Sequence, residues 1–129
     1  MPPLTDVMRP DFIEVAPEDT LGEVAERMTA KNVGAVVVKD FGRLIGILTE
    51  RDLLKAMAAR VHSSEARVRQ WMTEDPVTAS ADTDVEEAAR VMLQHGFRHL
   101  PVIDAEGQVT GIVSLRRVVG AAKAAAERS

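Results

Sequence analysis

The chain carries one pattern twice, and this repetition limits its fold more than any other feature. Met8 and Met72 stand 64 positions apart, and the same shift lays Leu21, Val24, Ala25 and Met28 on Val85, Ala88, Ala89 and Met92. "LTDVM" falls on "VRQWM". One inserted residue in the second copy moves the shift to 65, so that Gly42, Gly46 and Thr49 meet Gly107, Gly111 and Ser114. Two copies at so long a period do not make a solenoid; they predict an internal duplication with two similar lobes. Lobes of about 50 residues are small to stand alone. Packing sheet to sheet about a pseudo-two-fold axis would give them a shared core, with clefts between them in related pairs. The expected division is a first motif over 1–60, a polar linker over 61–70 ("VHSSEARVRQ") and a second motif over 71–129.

Each copy has the same local grammar. Leu21, Val24, Ala25 and Met28 follow the i, i+3, i+4, i+7 spacing of one helix face. Thr20 with Glu23, and Asp84 with Glu87, have capping-box spacing ahead of those faces, and Asn32 and Gly96 suit the helix ends. The β-branched runs "AVVVKD" and "LPVIDA", each followed by a glycine turn and a second apolar run, predict two hairpins. Pro101 within the second run predicts an edge position or an irregular strand start. Short strands near 13–15 and 77–79 precede the first helices, and apolar sets Leu53/Leu54/Met57 and Val118/Val119/Ala122 predict a closing helix in each copy. Trp71 is expected to anchor the lead-in segment of the second copy, and the tail "AAKAAAERS" to be a fraying helical end. The order per copy is strand, helix, strand, strand, helix: an α/β class.

Composition removes several functions. A formal net charge of −4 opposes a nucleic-acid surface, which needs a basic stripe. The absence of cysteine excludes disulfides, thiolate metal sites and cysteine nucleophiles. "MPPLTDVMRP" has no basic start followed by an apolar run, and no apolar stretch approaches the ~20 residues of a membrane span. The expectation is a soluble, cytoplasmic chain with no membrane insertion.

The two copies differ where chemistry could lie. "GILTERD" (46–52) carries Thr49 and Asp52, whereas "GIVSLRR" (111–117) carries Ser114 and Arg117. Thr49 and Asp52 admit two readings. T-x-x-D at a helix start is a capping box; a carboxylate there could equally accept hydrogen bonds from neighbouring ribose hydroxyls. "FRHLPV" (97–102) places Arg98 and His99 where the first copy has Gly34 and Ala35. An arginine fork and an imidazole donor suit phosphate oxygens, and a solvated surface pair is the alternative. The first copy therefore holds an acid without the basic pair, and the second holds the basic pair without the acid. That distribution fits one working nucleotide site.

Neither G-x-x-x-x-G-K-[ST] nor G-x-G-x-x-G occurs. His62, His95 and His99 lack ligand-like pairing with carboxylates, so no metal site is expected. Ser114 and His99 have neither a nucleophile elbow nor a third partner. The expectation is a non-enzymatic chain.

The duplicated "DVM"/"QWM" openers, "RHLPVID", and "GILTERD" against "GIVSLRR" resemble a tandem cystathionine-β-synthase (CBS) domain pair, a Bateman module, from about Leu4 to Lys123. The resemblance implies β-α-β-β-α lobes packed through their sheets, a disc-like homodimer, and AMP, ADP, ATP or S-adenosylmethionine in the cleft between the motifs. It implies ribose binding by Thr49 and Asp52 and phosphate binding by Arg98 and His99. Pro76, Val77, Thr78 and Pro101 would face the adenine. It implies a regulatory energy sensor that needs no cofactor and signals to an effector protein. The alternative is a structural dimerisation or docking module with vestigial ligand sites. Arg117 departs from the family pattern at the second corner.

Overall fold

The strand-helix-strand-strand-helix order is present twice. A computed structural model describes residues 1–128. After a single 3₁₀ turn at Leu4–Asp6 come β1 (Glu14–Val15), α1 (Leu21–Lys31), β2 (Ala35–Asp40), β3 (Arg43–Thr49) and α2 (Glu50–Ala58). Then follow α3 (Val68–Trp71), β4 (Thr73–Glu74), β5 (Ala79–Ser80), α4 (Val85–His95), β6 (His99–Ile103), β7 (Val109–Ser114) and α5 (Leu115–Arg128).

Local chemistry starts and stops the long helices. Thr20 caps α1 reciprocally with Glu23, and Asn32 ends it in the left-handed region. The Thr20 hydroxyl, and after it the Thr20 N–H, hold the Glu23 carboxyl below its ordinary pKa. In α4 the expected box does not form, although Asp84 still caps the helix. Asp84 accepts from the Glu86 N–H at 2.7 Å, but Glu87 turns along the helix to Arg90 (3.0 Å to Nε). An i, i+3 ion pair there outcompetes the backward reach to the cap. Gly96 closes α4 with φ +75°.

The chain divides into two packing units: Phe12–Pro76, and Met1–Asp11 together with the chain from Val77 on. These do not coincide with the expected division at 60 and 71. The difference has one cause. The lead-in of each sequence copy completes the unit built from the other copy.

In the Phe12–Pro76 unit the sheet order is β1-β2-β3-β4. β4 belongs to the second copy's lead-in, and it pairs antiparallel with β3 through Gly46↔Glu74 and Ile47↔Thr73. Just before it, Val68 is fully buried among Leu21, Val24 and Met28, with half-buried Trp71 and Met72 against the same core. The 61–70 stretch is therefore structural rather than a plain linker. The Val68 N–H donates to the Asp19 carbonyl (2.9 Å), and the Leu21 N–H donates to the Ala66 carbonyl (2.9 Å).

In the other unit the order is β5-β6-β7, and the first copy's lead-in repeats these contacts. Leu4 is 0% exposed among Val85, Ala88 and Met92. The Leu4 N–H donates to the Thr83 carbonyl (2.8 Å), and the Val85 N–H donates to the Pro2 carbonyl (3.0 Å). Arg9 and Ile112 exchange both backbone hydrogen bonds, at 2.8 and 3.1 Å, covering the outer edge of β7. Covering an edge in this way removes a site of unwanted strand pairing.

The repeated glycine of the two frames is explained by this crossing. A Cβ at Gly46 would lie 2.7 Å from Met72 Sδ and 2.9 Å from the Thr73 carbonyl oxygen; one at Gly111 would lie 2.9 Å from Met8 Sδ and 3.0 Å from the Arg9 carbonyl oxygen. Only glycine lets the lead-in backbone pass that close.

Two further expectations are corrected. Pro101 sits in the middle strand, not at an edge. Ile112, its cross-strand partner, spends its N–H and C=O on Arg9, and the parallel partner β5 first pairs at Val102, so the missing proline N–H leaves no ladder acceptor empty. On the closing helix α2, Leu53 packs inward but Leu54 and Met57 are 65% and 74% exposed, and Ala56 is the buried residue. The helical tail reaches Arg128; Ser129 lies outside the described residues.

Leu4→Ala is expected to destabilise the protein by about 2–5 kcal/mol, the usual range for emptying a buried leucine site. Urea unfolding measures the loss, and amide exchange should accelerate in α4 and β6, the elements around Leu4. Gly46→Ala should cost about 1–3 kcal/mol through overpacking against the Thr73 carbonyl, whereas alanine at the open Gly120 position on α5 should cause no loss.

Candidate functional site

The corner at the end of β3 is set by backbone before any side chain is considered. Ala35 pairs with Thr49, and the Glu50 N–H donates to the Gly34 carbonyl at 3.0 Å, so α2 starts directly off the strand. The Thr49 N–H and hydroxyl both donate to Asp52 Oδ2, at 2.9 and 3.1 Å, and the Asp52 N–H donates to Thr49 Oγ1 at 3.4 Å. The capping reading is thus realised, with both residues half-buried. It does not consume the carboxylate, because an ionised carboxylate has about four acceptor positions and the cap takes two.

The second corner repeats the backbone and changes the charge. His99 pairs with Ser114, and the Leu115 N–H donates to the Arg98 carbonyl at 2.8 Å. Ser114 Oγ accepts from the Arg117 N–H at 3.3 Å. The forward half of the cap is kept, and the reciprocal carboxylate is gone because residue 117 is arginine.

The structure brings Thr49 and Asp52 into direct contact. Arg98 is exposed immediately before β6; His99 and Pro101 lie on that strand, half-buried and buried respectively. Pro76, Val77 and Thr78 are half-buried between β4 and β5. Thr78 also borders an open hollow of about 740 Å³ with Thr5, Ser80, Asp82, Asp104 and Thr110. The sequence reading did not find this hollow, and no local signal marks it: Thr5 reaches it from a segment more than seventy positions away, donating its hydroxyl to the Ala81 carbonyl at 3.0 Å.

Asp52→Ala should cost about 0.5–2 kcal/mol even without any ligand, because it removes the acceptor for the Thr49 N–H and hydroxyl. Thermal unfolding of the ligand-free protein measures this loss. Arg117→Ala should leave stability within about 0.5 kcal/mol, since its side chain is exposed and its cap contact is through the backbone.

Comparison with known proteins agrees with this geometry. The CBS domain family matches residues 4–59 and 68–124. A 17.7 kDa protein of Acidianus ambivalens is 43% identical over 103 residues, covering 79% of this chain and 62% of its own length. The chain spans 59% and 40% of two further relatives, from Methanopyrus kandleri and Methanocaldococcus jannaschii. Among solved structures, CBSX2 in complex with AMP is 30% identical with a TM-score of 0.76, covering 95% of this chain and 96% of that one. The CBS domain pair of MJ0100, in complex with 5′-methylthioadenosine and S-adenosyl-L-methionine, is 25% identical with a TM-score of 0.85, over 96% and 98% of the two chains. Two family matches, two copies of one strand-helix order and two similarly capped corners lead to one statement: this chain belongs to the CBS domain family, as a pair of CBS domains.

Proposed function

We propose that the chain is a non-enzymatic, cytoplasmic regulatory module that binds one adenine nucleotide and relays its presence to an effector protein as an energy sensor. The observation that carries this reading is the Thr49–Asp52 corner, whose carboxylate is held in place by the cap and keeps acceptor capacity for a ribose diol. CBS pairs of the same fold have been solved with AMP and with 5′-methylthioadenosine and S-adenosyl-L-methionine, which supports an adenosine-containing ligand. In this reading Thr49 and Asp52 hold the ribose, Arg98 and His99 the phosphates, and Pro76, Val77, Thr78 and Pro101 border the adenine. AMP, ADP and ATP are the leading ligands, with S-adenosylmethionine as the alternative, and no cofactor is required.

A second reading has its own observation. Leu54 on α2 and Val119 on α5 occupy equivalent repeat positions and are 65% and 44% exposed. Paired exposed apolar positions favour a homodimer or a docking module with vestigial ligand sites. Among the described residues no helix is long and apolar enough to cross a membrane.

Titration calorimetry with AMP, ADP, ATP and adenosine separates the readings. The nucleotide module binds with a stoichiometry near one per chain, and Asp52→Ala abolishes or sharply weakens binding of every adenosine ligand. Arg98→Ala should weaken AMP by about 1.5–3 kcal/mol, the worth of a charge-assisted hydrogen bond, and leave adenosine nearly unchanged. A stable dimer with no heat from any adenine compound would instead favour the docking module.

A further inference from the structure

Both lead-ins are fastened by the same kind of atom. Met72 Sδ sits over Gly46, 2.7 Å from the point a Cβ would occupy, and Met8 Sδ sits over Gly111, 2.9 Å from the corresponding point. In each case a thioether fills the space that a side chain would need. A backbone carbonyl oxygen shares the seat, that of Thr73 at 2.9 Å from the same point or that of Arg9 at 3.0 Å. Sulfur suits the place because it is polarizable, largely apolar and asks for no hydrogen bond. Met72 also packs against the core that holds Val68, and Met8 against the core that holds Leu4.

The six methionines differ in what an oxidant could do to them. Met28 and Met92 are buried, out of reach of a dissolved oxidant. Met1 and Met57 are exposed, so an oxygen added there lands in water. Met8 and Met72 are half-buried, and they alone combine access with a crowded seat.

We propose that Met8 and Met72 are oxidation-responsive sites, at which hydrogen peroxide converts the thioether to a sulfoxide and releases the lead-in. The sulfur lone pair attacks one peroxide oxygen; an S–O bond forms and the O–O bond breaks. The departing hydroxide takes the proton of the transferred oxygen and leaves as water, so sulfur loses the two electrons that the peroxide gains. The product side chain is polar and chiral. Its partly negative oxygen is repelled by the Thr73 or Arg9 carbonyl and turns toward water. The segment behind it then lets go of its strand, leaving β3 without Thr73–Glu74 or β7 without Arg9. An uncovered edge offers its backbone groups to another chain, and methionine sulfoxide reductases make the change reversible. Neither methionine belongs to the set assigned to the nucleotide.

The full chain is treated with graded hydrogen peroxide, sulfoxide is measured at each methionine by peptide mass spectrometry, and thermal unfolding is recorded at each dose. Sulfoxide at Met1 and Met57 should leave the melting temperature unchanged. Sulfoxide at Met8 and Met72 should lower it by on the order of 5 °C, and the two epimer-specific reductases with a thiol should restore it. The Met8→Leu/Met72→Leu double variant should melt alike before and after peroxide, each protein being compared with itself so that any cost of leucine cancels. Replacement of every methionine by norleucine, which has a methylene in place of the sulfur, gives a second oxidation-proof form. In Met72→Leu peroxide should speed amide exchange in β7 and α4, and in Met8→Leu in β3 and α1. The proposal is overturned if wild type carrying both sulfoxides melts as before, if the double variant or the norleucine form loses as much as wild type, or if Met8 and Met72 stay reduced until the chain unfolds.

Discussion

Everything in this structure depends on a strand edge being closed by a segment from elsewhere in the chain. β3 pairs with Thr73–Glu74, and β7 pairs with Arg9. The carbonyls of Thr73 and Arg9 and the sulfurs of Met72 and Met8 come within about 3 Å of where a side chain would begin at Gly46 and Gly111. The same lead-ins carry Val68 and Leu4 into the two cores and give their carbonyls to the first N–H groups of α1 and α4. One segment thus supplies an edge strand, a core residue and a helix-end acceptor. Small units need such multiple use, because their own surface-to-volume ratio leaves few residues to bury.

Seen this way, the glycine and the hydroxyl of the repeated frame have different reasons to be there. The glycine belongs to the crossing of backbone over backbone and is the same in both copies. The hydroxyl belongs to the helix start, and it is also kept, as threonine or serine. The residue three positions later is the one whose change leaves the backbone intact, since the helix begins at Leu115 as it does at Glu50. Fold and chemistry are separable at this position, and the charge reversal between Asp52 and Arg117 uses that freedom.

Much of this was legible beforehand, for physical reasons. Helix faces, the Thr20 cap and the Asn32 and Gly96 ends depend on residues within a few positions of each other, so periodicity and spacing reveal them. Strand Val36–Val38 was readable because its β-branched run is buried continuously. One local expectation failed, the Asp84–Glu87 box, because Glu87 pairs with Arg90 instead; the larger misses were nonlocal. The lead-in exchange joins positions separated by more than sixty residues, and nothing in "LTDVM" says which copy it serves. Pro101 was read as an edge position or an irregular strand start because proline lacks a donor; its tolerance in the middle strand rests on Ile112 bonding Arg9, another distant partner. Of the candidate site, the Thr49–Asp52 contact was legible as a local motif. The hollow beside Thr78 was not, since its wall includes Thr5.

The connectivity also imposes an order in time. Phe12–Pro76 is one uninterrupted stretch, so during synthesis every residue it needs has been made once Pro76 has left the ribosome. Residues 1–11 are made before that stretch and meet their partners only after it. Arg9 must wait for Ile112, an interval on the order of ten seconds at the usual ~5–20 residues per second. Throughout that interval Leu4, wholly buried at the end, has no core to enter. A segment that emerges early and docks late exposes its apolar residues for longer, and "MPPLTDVMRP" is broken by prolines and charges, a composition poorly suited to pairing with a neighbour while it waits.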